Sequence, residues 1–270
     1  MKTIRSVHVE LHKIVTSLPF YLCIAVTVFL CLASGLCENE SHHGYSILSA
    51  ILTLSRDAKL TMYGCNWHHA ILNGAGSWLI LLIPIVAAIP FIPDFVDERT
   101  SGNMRMTIER MGEKRYYVVK FVSCFIGGAM AVVIGYILFC GISVLGLPSP
   151  FEGESLGSPI TKHEVIATTL KSMLGMFFYG GLWSMAAFLM AGIVKNKYLV
   201  LCVPFACKYV YDQYMMKNYF DLQWAKSDAM TSLANSNFPI GKMLLLSGVM
   251  FLLCFFTFSF IMHKRRDLGA

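Results

Sequence analysis

The residues of this chain best suited to chemistry are paired acids, clustered histidines, thiols that can meet, and one lysine set among apolar residues. Asp97 and Glu98 are its one pair of adjacent carboxylates, and Arg99 and Gly102 follow them. Paired acids divide general acid–base work when their environments separate their pKa values. Intramembrane proteolysis would need the pair at membrane depth, whereas this one lies beside an apolar run. His163-Glu164 opens the zinc-protease pattern HExxH, but Ala167 stands where the second histidine belongs. Trp67-His68-His69, with His42 and His43, supplies imidazoles. Adjacent histidines project in different directions and no carboxylate or cysteine completes a ligand spacing, so no metal site is expected. Cys37 and Cys65 lie outside the apolar runs and can form a disulfide in an oxidising exterior, while the other seven of nine cysteines read as small hydrophobes. Lys208 falls within an apolar run, where a charge is costly; it either pairs with Asp212 one turn on, meets an acidic group in a substrate pathway, or snorkels from a short span. Neither GxxxxGK[ST] nor GxSxG occurs, so no catalytic residues and no cofactor of the chain's own are expected.

The elements that carry these residues are apolar. Of 270 residues, 56% are hydrophobic and 14% charged, and mean hydropathy is +0.60. Soluble domains run at about 45–50% apolar and about 25% charged, so a soluble enzyme, a disordered chain and a nucleic-acid-binding domain are excluded as expectations. Apolar runs predict an all-α membrane protein of six transmembrane helices, at 18–36, 77–96, 118–145, 170–194, 198–216 and 241–262. The first is read as an uncleaved helix rather than a signal peptide, because more spans follow. Pro84, Pro90 and Pro93 break the second and are candidate hinges. Before the first span, Ile4, Val7, Leu11 and Ile14 follow the spacing of one helical face, which predicts an interfacial helix over 1–17. Gly127, Ala131 and Gly135 sit four apart in the third span and invite close helix packing. The aromatic, polar stretch 212–240 suits either a re-entrant or interfacial element or an ordinary loop.

The net charge of +6 orients the chain. With both termini inside, fourteen of the 22 Lys and Arg fall on inside segments and seven outside, with Lys208 in a span. That bias supports an N-in, C-in topology. The loop 97–117 is then cytoplasmic and short. Asp97, Glu98 and Arg99 open it, Gly102 breaks it, and Met104, Met106, Ile108 and Met111 offer apolar contacts among charges. Such a mixed-charge helix can seat in a groove of a cytoplasmic partner. Arg115-Tyr116-Tyr117 lead into the third span, where Lys120 is expected to snorkel.

A broken second span, Glu98 with Gly102 four residues on, a Met/Ile stretch, Arg115 before aromatic residues and Lys120 at the next span resemble the ABC-2 type permease family. The ending Phe260-Ile261-Met262-His263-Lys264-Arg265-Arg266-Asp267 is similar to that family's last span and basic exit. The middle segment Arg110-Met111-Gly112-Glu113-Lys114-Arg115 departs from the family's pattern and lacks its usual proline. The resemblance covers 1–270 as one transmembrane domain and implies a permease subunit of an ATP-driven exporter in a bacterial plasma membrane. Separate cytoplasmic ATPase subunits would bind ATP and Mg, and a second permease chain, identical or sister, would complete the unit. The segment around Asp97–Gly102, continued by Met111 and Arg115, would couple it to the ATPase. Small permeases of this kind resemble those that export antimicrobial peptides or confer immunity to them, so a peptide or amphiphile is the expected cargo. Two other classes stand beside it. A membrane sensor or immunity protein would bind an outside ligand without ATP, and a membrane enzyme would use the outside histidines.

Overall fold

The computed structural model describes residues 2–38, 44–62, 64–76, 78–151, 162–194, 196–218 and 240–267. Among them the chain is helical with almost no sheet: twelve helices and one two-stranded ribbon. Helix α1 (Lys2–Val15) meets α2 (Leu18–Leu32) at a 62° bend. Ser17 stands before α2 with its hydroxyl turned back to the Ile14 carbonyl, and Pro19 occupies the first turn, where a missing N–H costs nothing. The expected span 18–36 ends early as a helix. At 15 residues α2 is about 22 Å long, short of a hydrocarbon core of about 30 Å. Its apolar continuation is instead strand β1 (Gly35–Glu38), antiparallel to β2 (Gly44–Ser46).

Helices α3 (Ile47–Thr53) and α4 (Arg56–Thr61) follow, capped by the Ser46 and Ser55 hydroxyls. Then α5 (Trp67–Gly76) bends by 52° into α6 (Trp78–Val86). The expected second span, 77–96, is therefore not one kinked helix. Pro84 sits inside α6, Pro90 in the turn over 87–91, and Pro93 in the first turn of α7 (Ile92–Thr100). The segment expected as a cytoplasmic loop holds the end of α7, a two-residue turn and α8 (Asn103–Met111). Gly102 (φ 78°) and Gly112 (φ 82°) bracket α8 in a backbone region that glycine enters without strain.

Helices α9 (Glu113–Gly146) and α10 (Lys162–Ile193) are each long and apolar enough to cross a membrane, and the described residues hold four such crossings if each bent pair is one. Helices α11 (Lys197–Asn218) and α12 (Ile240–Asp267) complete the order. Helix α9 is central. A Cβ on Gly135 would meet Thr27 Cβ of α2 at 2.7 Å, and one on Gly128 would meet Ser184 Cβ of α10 at 2.5 Å. Small residues thus let three helix backbones close on one another; Gly135 belongs to the four-residue spacing, whereas Gly128 lies beside it. Toward the N-terminal end of α9, rings from several elements interlock. Phe188 of α10 lies 4.5 Å from Phe95 of α7 and 4.4 Å from Phe258 of α12, and Phe121 of α9 and Phe91 join the cluster. The offset and edge-on ring contacts add directional preference to the burial.

Candidate functional site

The aromatic cluster seats α7 and thereby aims its last turn. Phe95 is buried, and Glu98 and Arg99, three and four residues on, share its helical face. The three consecutive residues Asp97, Glu98 and Arg99 each reach a different part of the molecule. Glu98 Oε2 accepts from Lys120 Nζ of α9 at 2.6 Å. The same ammonium donates to Glu10 Oε2 of α1 at 3.0 Å. Arg99 donates to the carbonyls of Ala191 and, at 3.1 Å, Val194, at the end of α10. A guanidinium there satisfies carbonyls that the helix leaves unpaired and complements its negative end. Asp97, exposed, pairs with Lys197 at the start of α11 at 3.4 Å. One helical turn is so tied to α9, α10 and α11, and Lys120 carries the link on to α1.

Lys120 does not snorkel. Its side chain is 4% exposed, against 14% for Glu98 and 22% for Glu10. Desolvating an ammonium is costly, and the surroundings offset this with two carboxylates and with the rings of Phe91 and Tyr116, whose centroids lie 5.9 and 5.7 Å from Nζ. Tyr116 Oη donates to Glu98 Oε1 at 3.3 Å, so both oxygens of that carboxylate are engaged. Two acids against one ammonium leave the cluster net negative, balanced in part by hydrogen bonding. This chemistry holds helices together.

The remaining expected site residues lie apart from the cluster. Gly102 turns α7 into α8, whose residues are all at least partly exposed. Met111 and Arg115 line a cleft against α1, and Arg115 Nη2 donates to Ser6 Oγ at 3.3 Å. Lys208 is 3% exposed at its side chain and donates to Asp212 Oδ2 at 2.6 Å, which removes the snorkelling option. Cys37 and Cys65 are both buried, and their side chains meet. That contact lowers the pKa of Cys37, and with burial it raises that of Cys65. His68 meets Thr168 Oγ1 of α10 at 3.1 Å. His42, His43 and most of the stretch 212–240 lie outside the described residues; 212–218 end α11.

Glu10 went unrecognised in the sequence although a signal was present. It is the sole acid of α1 and lies three residues after Val7 and four before Ile14, on the apolar stripe. An acid on an apolar stripe calls for a buried cation, and Lys120 supplies it. No protein-family model matches the chain, and no curated protein matches it in sequence.

Proposed function

We propose that the chain is the membrane-spanning permease subunit of an ATP-driven exporter that moves a peptide or amphiphilic cargo. In this reading six spans run N-in to C-in, α2 forms the first with α1 as the interfacial helix before it, and the broken α6–α7 segment forms the second. A second permease chain completes the pathway, and cytoplasmic ATPase subunits supply ATP and Mg binding. The site is a bacterial plasma membrane.

One observation carries the reading. Three consecutive residues, Asp97 to Arg99, tie one turn to three helices, and through Lys120 to Glu10 of a fourth, directly beside α8, a short charged helix whose residues are all at least partly exposed, Met106 at 62%. A partner that grips α8 pulls on that turn, and the turn has ties to two of the longest helices. ATP-driven closure of the partner would displace α7 and α8, and the clamp would pass the displacement to α9, α10 and α1. Exchange between two packings biased by nucleotide is what alternating access requires. In this reading the break over 87–91 is the hinge between α6 and α7.

Glu98→Ala and Gly102→Leu test the coupling. Glu98→Ala removes the tie to α9, and Gly102→Leu forces a side chain onto a left-handed turn that costs about 1–2 kcal/mol. Each is expected to lower ATPase activity of the reconstituted complex several-fold while the chain still inserts into membranes. Unchanged activity in both removes the coupling role. A sensor or immunity protein, the alternative, would purify without any ATPase and keep ligand binding in both variants.

A further inference from the structure

Two of the chain's thiols lie outside its long apolar helices, and the fold brings them together. Cys37 is the third residue of β1, opposite Tyr45 of β2. Successive residues of a strand ordinarily face opposite sides, yet Leu36 and Cys37 are both buried, at 5% and 8% exposed. The register with β2 shifts between Gly35 and Cys37, and such a shift re-aims a side chain, here inward. Cys65 arrives from the other direction. Gly64 (φ 76°) makes the turn after α4 in a backbone region that glycine enters without strain. Cys65 N then donates to the Met62 carbonyl at 3.3 Å, and Trp67 N to the Pro148 carbonyl at 3.2 Å, so the backbone is held on both sides. Cys65 ends fully buried just ahead of α5, which packs on β1. There the two side chains meet, and the contact acts on both thiols. The other seven cysteines lie on α2, α9, α11 and α12. Spacing alone allowed a bridge; the ribbon and the Gly64 turn supply the approach.

We propose that Cys37 and Cys65 are joined in the native membrane by a disulfide that fixes the β1–β2 ribbon, and with it the end of α2, to the start of α5. The proposal rests on the N-in, C-in reading, which puts 37–76 on the oxidising side of the membrane, and not on the export function. The bond forms while the outer segment folds and both thiols are accessible. One thiolate attacks a disulfide-bearing oxidant of the outer compartment and expels one of its sulfurs as thiolate; the second thiolate then attacks the mixed disulfide. One S–S bond forms in the chain and one breaks in the oxidant, which takes up two electrons and two protons.

The test traps thiols in intact cells that make the full chain. Cells are quenched in acid, free thiols are blocked with N-ethylmaleimide in denaturant, and thiols released by reduction are labelled with a polymer-linked maleimide. The wild type is expected to gain two polymer adducts and to run as a monomer on a non-reducing gel. Cys37→Ser and Cys65→Ser should each gain none, while Cys31→Ser, a buried cysteine of α2, should still gain two. Mass spectrometry of the unreduced wild type, which depends on no variant's folding, should show the peptide holding Cys37 joined to the one holding Cys65. A wild type without adducts overturns the proposal, as do two adducts that survive in Cys37→Ser or vanish in Cys31→Ser. Purified chain, reduced and then treated with diamide, separates the causes of failure. A bridge that forms there but not in cells contradicts the outside placement of 37–76. A bridge that forms in neither contradicts the contact and leaves the topology untouched. The ATPase assay on Glu98→Ala and Gly102→Leu stands apart from both results.

Discussion

At the scale of single residues the chain spends its rarest commodity, buried charge, on Lys120. An ammonium with a side chain 4% exposed is held there by the carboxylates of Glu98 and Glu10. Lys120→Met leaves two carboxylates without a cation, which costs about 3–5 kcal/mol when a buried pair loses one partner. A thermal melt of the full chain in detergent should drop accordingly, and adding Glu98→Gln should regain most of the loss; a melt that is unchanged in the single variant contradicts the account of Lys120. Glu98 was legible in the sequence because its charged neighbours and Gly102 marked a short loop. Lys120 was misread as snorkelling, since hydropathy places a lysine near a helix end without saying what packs over it. The thiols make a second test. The hydrogen bond with Cys65 holds the Cys37 pKa below the ordinary range, so thiolate at Cys37 is present to lower pH than in a free cysteine. Its alkylation by iodoacetamide should therefore extend to lower pH, and Cys65→Ala should move that profile upward. A profile insensitive to Cys65→Ala removes the hydrogen bond from the argument. That the two thiols meet was foreseeable only from their shared place outside the apolar runs, because their contact depends on the β1–β2 ribbon.

At the scale of elements, α9 and α10 were legible because each is a long apolar run bounded by charge: Glu113–Gly146 covers the expected 118–145 and Lys162–Ile193 nearly all of 170–194. The end of α2 was not. Ala33, Ser34 and Gly35 carry no charge, so composition runs on where the backbone changes to strand pairing with β2. Helix α5 was missed because Trp67-His68-His69 reads as polar, although the Asn66 side chain caps it by accepting from His69 N at 2.9 Å. The close approach of α2 to α9 yields a matched prediction on one helix. Gly135→Ala places a methyl against Thr27 and the Ile24 carbonyl, whereas a Cβ on Gly141 meets nothing within 4 Å. Gly135→Ala should lower the melting temperature of the full chain. Gly141→Ala should leave it unchanged or raise it, by up to the 0.5–1 kcal/mol or so that alanine gains over glycine in a helix. Equal effects would show that the two helices do not pack through Gly135.

At the scale of the whole molecule the two ends of α9 divide the functions. The helix is about 51 Å long. Its first turns hold the clamp at Lys120, and its last carbonyl, at Gly146, accepts from Lys59 of α4 at 3.1 Å. A cysteine placed at Lys114 and one placed at Asp57 should therefore label from opposite faces of an intact membrane with an impermeant maleimide; labelling from the same face contradicts the N-in, C-in arrangement. Six spans followed from hydropathy, but the bent pairs and the break at 87–91 show why counting runs cannot settle crossings: proline, a bend or a strand interrupts a run without changing its composition. The central claim is that the turn at Asp97–Arg99 and helix α8 receive force from a separate ATPase. The most direct measurement is to purify the tagged chain in mild detergent from its native membrane, identify stoichiometric partners by mass spectrometry, and assay ATP hydrolysis. The account predicts a cytoplasmic subunit bearing a P-loop, whose association weakens when the exposed charges of α8, Arg105 and Glu109, are replaced by alanine. A chain that purifies alone after crosslinking, with no ATPase activity, would contradict it.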